Sequence, residues 1–283
     1  MKRKVREKLI IQLLRLITYS IVMVIGYILV DIIWHGIPVI NWSFLTEMPR
    51  RGGSEGGIYP AIVGTLCLVA GTIVIALPFG IGSAIFLSEY AGKNRLTGMI
   101  RLAIITLAGV PSIVFGLFGL GLFVLFFNFG PSILAGSLTL ACMVLPTVIV
   151  TSEEALRAVP RSFREASLAL GATKWTTIRT NVLPYSFSGI ITGAILGIGR
   201  AAGETAPILL TVAAFFLPKL PKSIFDQVMA LPYHLYILAT QHPDVNKVLP
   251  LQYGTALVLL LLVLGLSVGA ILVRSHFRRK YQW

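Results

Sequence analysis

The fold class follows from a run without a charged side chain, Ser132-Ile-Leu-Ala-Gly-Ser-Leu-Thr-Leu-Ala-Cys-Met-Val-Leu-Pro-Thr-Val-Ile-Val-Thr151. An α-helix needs about 20 mostly apolar residues to cross the hydrocarbon core of a membrane. The whole chain shares this bias, because 56% of its 283 residues are apolar and 12% are charged. A typical soluble domain is about 45–50% apolar and about 25% charged. This composition excludes a disordered chain and predicts an all-α integral membrane protein.

Five further runs of the same character accompany this one, so we predict six transmembrane helices. The runs cover 9–34, 59–87, 102–127, 132–151, 185–217 and 253–273. Because basic residues precede the first run, a cleaved signal peptide is the competing interpretation. That run is too long for the apolar region of a signal peptide and lacks a small-residue cleavage site, so we expect it to be retained as a span.

The basic residues test the number of spans, since Lys and Arg concentrate in cytoplasmic loops. With six spans, 18 of the 24 Lys and Arg side chains fall on the side of the two termini. The exceptions are Arg200 inside a span and, on the opposite side, Arg50, Arg51, Lys219, Lys222 and Lys247. Both termini are therefore predicted to be cytoplasmic. The net charge of +13 follows from this topology, and we expect no nucleic acid partner because the charges are not gathered into one basic domain.

The spans divide the chain into three parts. Residues 1–58 comprise a basic tail, the first span and an external loop. Residues 59–275 form the main transmembrane domain. Residues 276–283 form a basic cytoplasmic tail.

Three loops are long enough to matter. In the first external loop, the glycine-rich part 51–57 is predicted to be flexible. The second external loop, 218–252, contains the apolar stretch 225–238, which Pro232 interrupts and which we predict to be interfacial or re-entrant. The largest cytoplasmic loop is 152–183.

The cytoplasmic loop carries the signals of two short helices. Ser162-Phe-Arg-Glu165 is a capping box and predicts a helix through Leu170, with Gly171 in the left-handed position that follows a helix. Thr173 is predicted to cap a second helix, which Pro184 ends. Spacing alone leaves open whether this hairpin only packs against its own bundle or docks on a partner.

The same loop resembles the EAA loop of permease subunits of binding-protein-dependent ABC importers. That pattern is Glu-Ala-Ala, three residues, Gly, nine residues, Ile, one residue and Leu-Pro. The matching residues are Glu165, Ala166, Gly171, Leu183 and Pro184. The motif also lies where the family has it, in a cytoplasmic loop before the penultimate span. The departures, Ser167 for Ala and Asn181 for Ile, are mild, although Asn181 weakens the hydrophobic anchor of the second helix.

The resemblance implies a type I ABC importer permease fold in a bacterial or archaeal cell membrane. It also implies partners, namely a sister permease subunit, two ATPase subunits and an external binding protein. The hairpin is expected to dock into a groove of an ATPase subunit, with Gly171 allowing the turn. Glu165 is expected either to cap its own helix, which the local box geometry favours, or to pair with a basic residue of the partner.

The fifth span carries a charged pair on a face of small residues. At about 100° per residue, six positions of this span fall within one sector of about 80°. They are Gly189, Gly193, Gly197, Arg200, Glu204 and Pro207. Small residues at every fourth position let another backbone approach closely. A lone Arg at the bilayer centre costs about 2.5–3.5 kcal/mol on the insertion scale. An ion pair with Glu204 explains how the charge is tolerated, but buried pairs rarely add stability, so we favour a role in a transport pathway. A break of the helix is expected near 203–207.

Three segments resemble the phosphate-importer branch of this family, and with the EAA loop the likeness covers about residues 59–283. They are Arg200–Pro207, Pro111–Phe118 and Ala230–Tyr236. This resemblance implies one of the two permease subunits of an ATP-driven importer of inorganic phosphate, with a phosphate-binding protein outside. The alternatives are the sister permease of the same importer and a permease for another oxyanion, sulfate or molybdate.

A pathway hypothesis follows for the charged pair. Arg200 offers a planar, permanently charged fork to phosphate oxygens. Glu204 can accept the proton of hydrogenphosphate, which sulfate lacks, and Thr205 can donate a hydroxyl nearby. The alternative is that selectivity resides in the external binding protein and the pair only sets the polarity of the pore. Ser112 follows Pro111 at an interruption of the third span, which is either a packed kink or a bend that lines the pathway.

Absent motifs narrow the function further. The sequence has no Gly-x4-Gly-Lys-[Ser/Thr] phosphate loop, so ATP must be bound by another subunit. It has no cluster of His, Cys and carboxylates with metal-ligand spacing and no catalytic arrangement of Ser, His and Asp, so we expect no metal, cofactor or enzymatic activity. Cys67 and Cys142 lie in apolar runs and are expected to be small buried hydrophobes. The rival function is an autonomous secondary transporter with Glu204 as its proton-coupling acid, for which the EAA-like loop has no purpose.

Overall fold

The computed structural model describes residues 2–53, 55–92 and 94–280, and in this part the chain is almost entirely helical. Its α-helices are α1 (Lys2–Gly36), α2 (Trp42–Thr46), α3 (Tyr59–Ile85), α4 (Arg95–Ala108), α5 (Ser112–Gly119), α6 (Ile133–Ala158), α7 (Arg161–Ala169), α8 (Lys174–Thr177), α9 (Leu183–Gly203), α10 (Ala206–Thr211), α11 (Leu231–Thr240) and α12 (Val245–Lys280). Wider π-helical turns extend α3 over Phe86–Tyr90 and α5 over Leu120–Phe126, and a third, Ile178–Val182, joins α8 to α9 without a break. The strands β1 (Pro49–Arg50) and β2 (Glu55–Gly56) pair antiparallel.

Six spans account for the long helices of the described residues. Five segments are long and apolar enough to cross a membrane, namely α1, α3 with its π-helical turn, α6, the run α8–α9 and α12. The bent pair α4–α5 makes a sixth when it is taken as one span. The prediction of an all-α, multi-pass membrane protein is confirmed.

The core of the bundle is built around α6. This helix packs against α3, α4, α5, α9 and α10, and its fully buried Leu140, Met143 and Val144 meet Leu68 of α3. Cys67 and Cys142 are free thiols that pack against the same cluster, although both are half-buried rather than buried as predicted. In contrast, α1 lies along α12 at the outside, and most of its apolar side chains are exposed, as contact with lipid requires.

The third predicted span, 102–127, is not one helix. The chain bends by 103° between α4 and α5, because Gly109 ends α4 and Pro111, in extended conformation, lacks the N–H that would continue the helix. In addition, α4 begins at Arg95 rather than Leu102, since the Asn94 side chain caps it by accepting from Thr97 N at 2.8 Å. The interruption at Pro111 is therefore a sharp corner rather than a packed kink.

The fifth predicted span, 185–217, is divided as expected. Helix α9 ends at Gly203, and Glu204 takes an extended backbone conformation before α10 begins. The prediction that helix continues to residue 217 is wrong, because α10 ends at Thr211. The following segment returns to the bundle as irregular chain, where Ile133 N at the start of α6 donates to Asp226 O at 2.9 Å.

The loop that was predicted to be cytoplasmic is shorter than expected, because both neighbouring helices continue into it. Helix α6 runs to Ala158 instead of ending at residue 151, and the second short helix is the start of a continuous run from Lys174 to Gly203. Pro184 therefore does not end a helix. The π-helical turn before it, in which Leu183 N donates to Ile178 O, widens the backbone just where an interior proline would otherwise clash.

Within the loop, the prediction of the first cap is wrong and that of the turn is confirmed. Helix α7 begins at Arg161, and Pro160 occupies the capping position without any side-chain bond, so Ser162 and Glu165 form no capping box. Gly171 has φ +81°, the left-handed conformation expected after the helix. Thr173 Oγ1 accepts from Thr176 N at 3.2 Å and caps α8, as predicted.

The segments that were predicted to be external contain more regular structure than expected. Within 51–57, expected to be flexible, Arg51–Gly53 form a 3₁₀ turn and Glu55–Gly56 form β2. An added Cβ at Gly56 would clash with Met48 O. Helix α11 begins at Leu231, so Pro232 lies in its first turn, where a missing N–H costs nothing. Helix α12 starts at Val245, eight residues earlier than residue 253, and absorbs the predicted tail as far as Lys280; residues 281–283 lie outside the described part.

Candidate functional site

The glycine face of α9 brings this helix close to α6. An added Cβ at Gly189 would clash with Ala155, and one at Gly193 would clash with Thr151 Oγ1. At Gly197 the nearest atoms belong to Val148, at 3.7 Å. The predicted close approach of another backbone is therefore made by α6, and it fixes the position of the last turn of α9.

That last turn carries the predicted charged pair. Arg200 Nε lies 3.6 Å from Glu204 Oε1, and the two side chains are 32% and 22% exposed. This distance is too long for a good hydrogen bond, so the pair is a loose ion pair that leaves guanidinium donors available. Glu204 ends the helix, and the half-buried Thr205 stands between α9 and α10.

The two broken helices meet close to this pair. Gly116 of α5 packs against the start of α10, with an added Cβ placed 3.0 Å from Ala206 O and 3.1 Å from Pro207 Cα. Ser112 lies one helical turn before Gly116 and on the same face of α5. The structure thus brings the corner between α4 and α5 next to the break between α9 and α10, and with it the predicted residues Ser112, Glu204 and Thr205 into one region.

The predicted coupling residues lie in the hairpin formed by α7 and α8 and at the start of α9. Glu165 and Ala166 are exposed on α7, so Glu165 does not cap its helix and its carboxylate faces outward. Leu183 and Pro184 are half-buried at the start of α9, and Leu183 packs against the cluster of Leu156 and Val182.

The departure from the family pattern at Ser167 has a structural reason. Ser167 Oγ lies 2.9 Å from Thr177 Oγ1, and both residues are buried between α7 and α8. A serine here links the two helices of the hairpin through one hydrogen bond. Asn181, the second departure, is half-buried beside α7 in a groove that also contains Ala166.

The residues that fasten the hairpin to the bundle are not among those predicted from the sequence. Glu89, in the π-helical turn after α3, binds Arg164 of α7, with Arg164 Nη2 at 2.7 Å and Nε at 3.2 Å from Oε1. Arg164 also donates to Val159 O and Leu156 O, at 2.7 and 2.8 Å. We call this contact the Glu89–Arg164 clamp. Its residues are 75 positions apart, so no local pattern could have indicated it.

Two further contacts extend the clamp. The Lys174 ammonium of α8 lies 4.8 Å from the centre of the Tyr90 ring, a cation–π contact. Glu153 of α6 binds both Arg101 of α4 and Arg157 of α6, at 2.9 and 2.7 Å. The π-helical turn after α3 is therefore joined to both helices of the hairpin, and Glu153 joins α4 to the end of α6.

Comparison with known proteins agrees with this architecture. Residues 76–281 match the family described as binding-protein-dependent transport system inner membrane component. The chain is 34% identical to the probable ABC transporter permease protein YqgI of Bacillus subtilis, over 95% of both chains. It is 38% identical to the phosphate transport system permease protein PstA 1 of Mycobacterium tuberculosis, over 87% of this chain and 80% of that protein.

The fold is also found among solved structures. A chain of the bacterial alginate ABC transporter, crystallised with an alginate pentasaccharide-bound periplasmic protein, superposes with a TM-score of 0.66 over 97% of this chain and 95% of that chain, at 13% sequence identity. The architecture is therefore that of type I ABC importer permeases. Since the family match covers most of the sequence, the chain belongs to the binding-protein-dependent transport system inner membrane component family.

Proposed function

We propose that the chain is a permease subunit of an ATP-driven importer of inorganic phosphate. The observation that carries this proposal is the 38% identity, over 87% of the chain, to a permease of the PstA type. The loose Arg200–Glu204 pair at a break between helices supports it, because intramembrane charges and broken helices mark transport pathways.

Arg200 acts on phosphate as it passes. Its guanidinium is permanently charged, and its fork of donors matches the oxygens of an oxyanion. Because the 3.6 Å contact with Glu204 does not engage these donors in a short hydrogen bond, Arg200 can bind phosphate without first breaking a strong interaction.

Glu204 favours a protonated oxyanion. Its carboxylate repels a bare dianion but accepts a hydrogen bond from the hydroxyl of hydrogenphosphate, which sulfate does not have at neutral pH. Thr205 donates a hydroxyl from the same break, and Ser112 contributes one from the corner of α5 that packs beside it. The pathway is completed by a sister permease subunit.

The hairpin transmits the action of partner subunits. An ATPase subunit binds the chain at this hairpin, through Glu165, Ala166, Gly171, Leu183 and Pro184. Two such ATPase subunits bind the pair of permease subunits. A phosphate-loaded binding protein delivers the substrate on the external side. The transmembrane domain is 59–275, and both termini are cytoplasmic, as the distribution of basic residues indicates.

The test is uptake of radiolabelled phosphate by vesicles that contain the chain with its neighbouring permease, ATPases and binding protein. We expect ATP-dependent uptake that Arg200→Gln abolishes, while Arg95→Gln, at an exposed position of α4, leaves it unchanged. Co-purification checks that each complex is assembled. Uptake that survives Arg200→Gln would remove Arg200 from the pathway, and an assembled complex that imports sulfate or molybdate instead of phosphate would contradict the assignment of substrate.

The role of Glu204 has its own readout. Replacement by Gln keeps the size of the side chain but removes the charge, so we expect Glu204→Gln to lower the preference for phosphate over sulfate. An unchanged preference would place selectivity in the external binding protein.

A further inference from the structure

The end of the bundle that carries the coupling hairpin contains a basic cavity of about 760 Å³. It lies between the π-helical turn after α3, the start of α4, the end of α6 and α7. Four arginines and two glutamates carry its charge, namely Arg101, Arg157, Arg161, Arg164, Glu89 and Glu165. We call it the basic cavity.

The arginines of this cavity are not equally committed to internal partners. Arg164 is held by Glu89 and by backbone carbonyls. Glu153 is shared by two arginines, because the same Oε1 lies 2.9 Å from Arg101 and 2.7 Å from Arg157. One negative charge thus faces two positive charges, and the Arg157 side chain remains 53% exposed. Arg161 is exposed at the start of α7. The cavity therefore keeps an excess of positive charge.

An apolar groove of about 450 Å³ adjoins the basic cavity. It runs between α3 and α4 and is lined by Pro78, Phe79, Gly82, Phe86, Ile100 and Ile104. Leu87 borders both spaces, and Arg101 of the cavity follows Ile100 of the groove along α4. The basic cavity and the apolar groove thus adjoin each other at the end of α3.

From this pairing we propose that the basic cavity and the adjoining groove bind one anionic phospholipid. The lipid phosphate lies against the donors of Arg157 and Arg161, and an acyl chain lies in the groove over Gly82. Basic pockets between transmembrane helices bind anionic headgroups, and guanidinium forks match phosphate oxygens. The bound lipid would fill the space between α4 and the hairpin. This inference is independent of the transported substrate.

The experiment titrates the purified full chain, with its co-purifying subunits in detergent, against phosphatidylglycerol and against phosphatidylcholine, and measures bound lipid by native mass spectrometry. We expect Arg157→Gln with Arg161→Gln to weaken phosphatidylglycerol binding by about 30-fold, since each arginine contributes about a factor of five near an anionic headgroup. Gly82→Phe should also reduce binding, because no atom lies within 4 Å of an added Cβ there and the ring would fill the groove.

Matched controls separate this site from the general lipid belt. Arg95→Gln removes an exposed arginine of α4 outside the cavity, and Gly265→Phe adds a ring at an open glycine of α12; both should bind phosphatidylglycerol as the unmodified chain does. Equal binding by the cavity variants would overturn the proposal. Displacement of phosphatidylglycerol by inorganic phosphate would instead make the cavity a site for the free ion. Loss of the ATPase subunits from the arginine variant, with lipid binding unchanged, would make it a protein contact.

Discussion

The Glu89–Arg164 clamp should hold the hairpin of α7 and α8 against the bundle, and Glu89→Gln tests this prediction. The Glu89 side chain is 8% exposed and that of Arg164 is 19% exposed, so the pair is largely shielded from solvent. Removing one partner of a buried ion pair costs about 3–5 kcal/mol. The cost here should be smaller, because Arg164 keeps the carbonyls of Val159 and Leu156 and glutamine can still accept one hydrogen bond. We expect about 2 kcal/mol, the value of one charge-assisted hydrogen bond.

The loss should appear as local opening of α7 rather than as global unfolding. A change of about 2 kcal/mol corresponds to about a 30-fold change in an opening equilibrium. Amide hydrogen exchange reports such openings segment by segment. We therefore expect the amides of α7 in Glu89→Gln to exchange about 30-fold faster, with little change in α12. Glu165→Gln is the matched control, because this glutamate lies on the exposed side of the same helix.

A double-mutant cycle completes the test. Arg164→Gln alone should loosen α7 by at least as much, since Glu89 would then be a buried charge without its partner. The double variant should be less destabilised than the sum of the two, because neither charge remains unpaired. Additive effects, or unchanged exchange in Glu89→Gln, would refute the argument that this pair holds the hairpin.

Two further predictions concern packing between helices. Gly193→Ala should lower the thermal stability of the protein, because its Cβ would meet Thr151 Oγ1 and overpacking typically costs about 1–3 kcal/mol. Adding Thr151→Ala should recover part of the loss. Gly199→Ala is the control, since this glycine faces open space on the same helix, and it should leave the melting temperature unchanged. Ser167→Ala should destabilise the hairpin by about 1 kcal/mol, because the Thr177 hydroxyl would lose its buried partner. Adding Thr177→Val should restore stability, since no buried hydroxyl then lacks a partner. An equal loss of stability in the single and the double variant would contradict this.

Local patterns predicted the features that depend on neighbouring residues. The spans follow from apolar runs, the left-handed Gly171 from the turn it must make, and the cap at Thr173 from the side chain that bonds the next turn. The break before Pro207 was also predictable, because proline interrupts the hydrogen bonds of a helix. Each of these needs only a few consecutive residues.

Predictions failed where distant residues override a local preference. The capping box at Ser162 is not formed, because α7 begins one residue earlier, at Arg161. In the same turn, Arg164 binds Glu89 and the carbonyls of Leu156 and Val159. Pro184 does not end a helix, because a π-helical turn directly before it accommodates the ring. At α7 the contacts reach α3 and α6, whereas at Pro184 the wider turn belongs to the same helix.

Apolar runs and turn residues were enough to predict about six membrane spans, the turn of the hairpin and the charged residues within a span. The 103° corner of the third span, the meeting of α5 with the break at Glu204, and the clamp between Glu89 and Arg164 became visible only in the folded chain. The difference lies in the distance along the chain over which each interaction acts. Hydropathy and turn preferences act within one or two helical turns, whereas the angle at a corner and the partner of a buried charge depend on side chains brought together from distant parts of the chain.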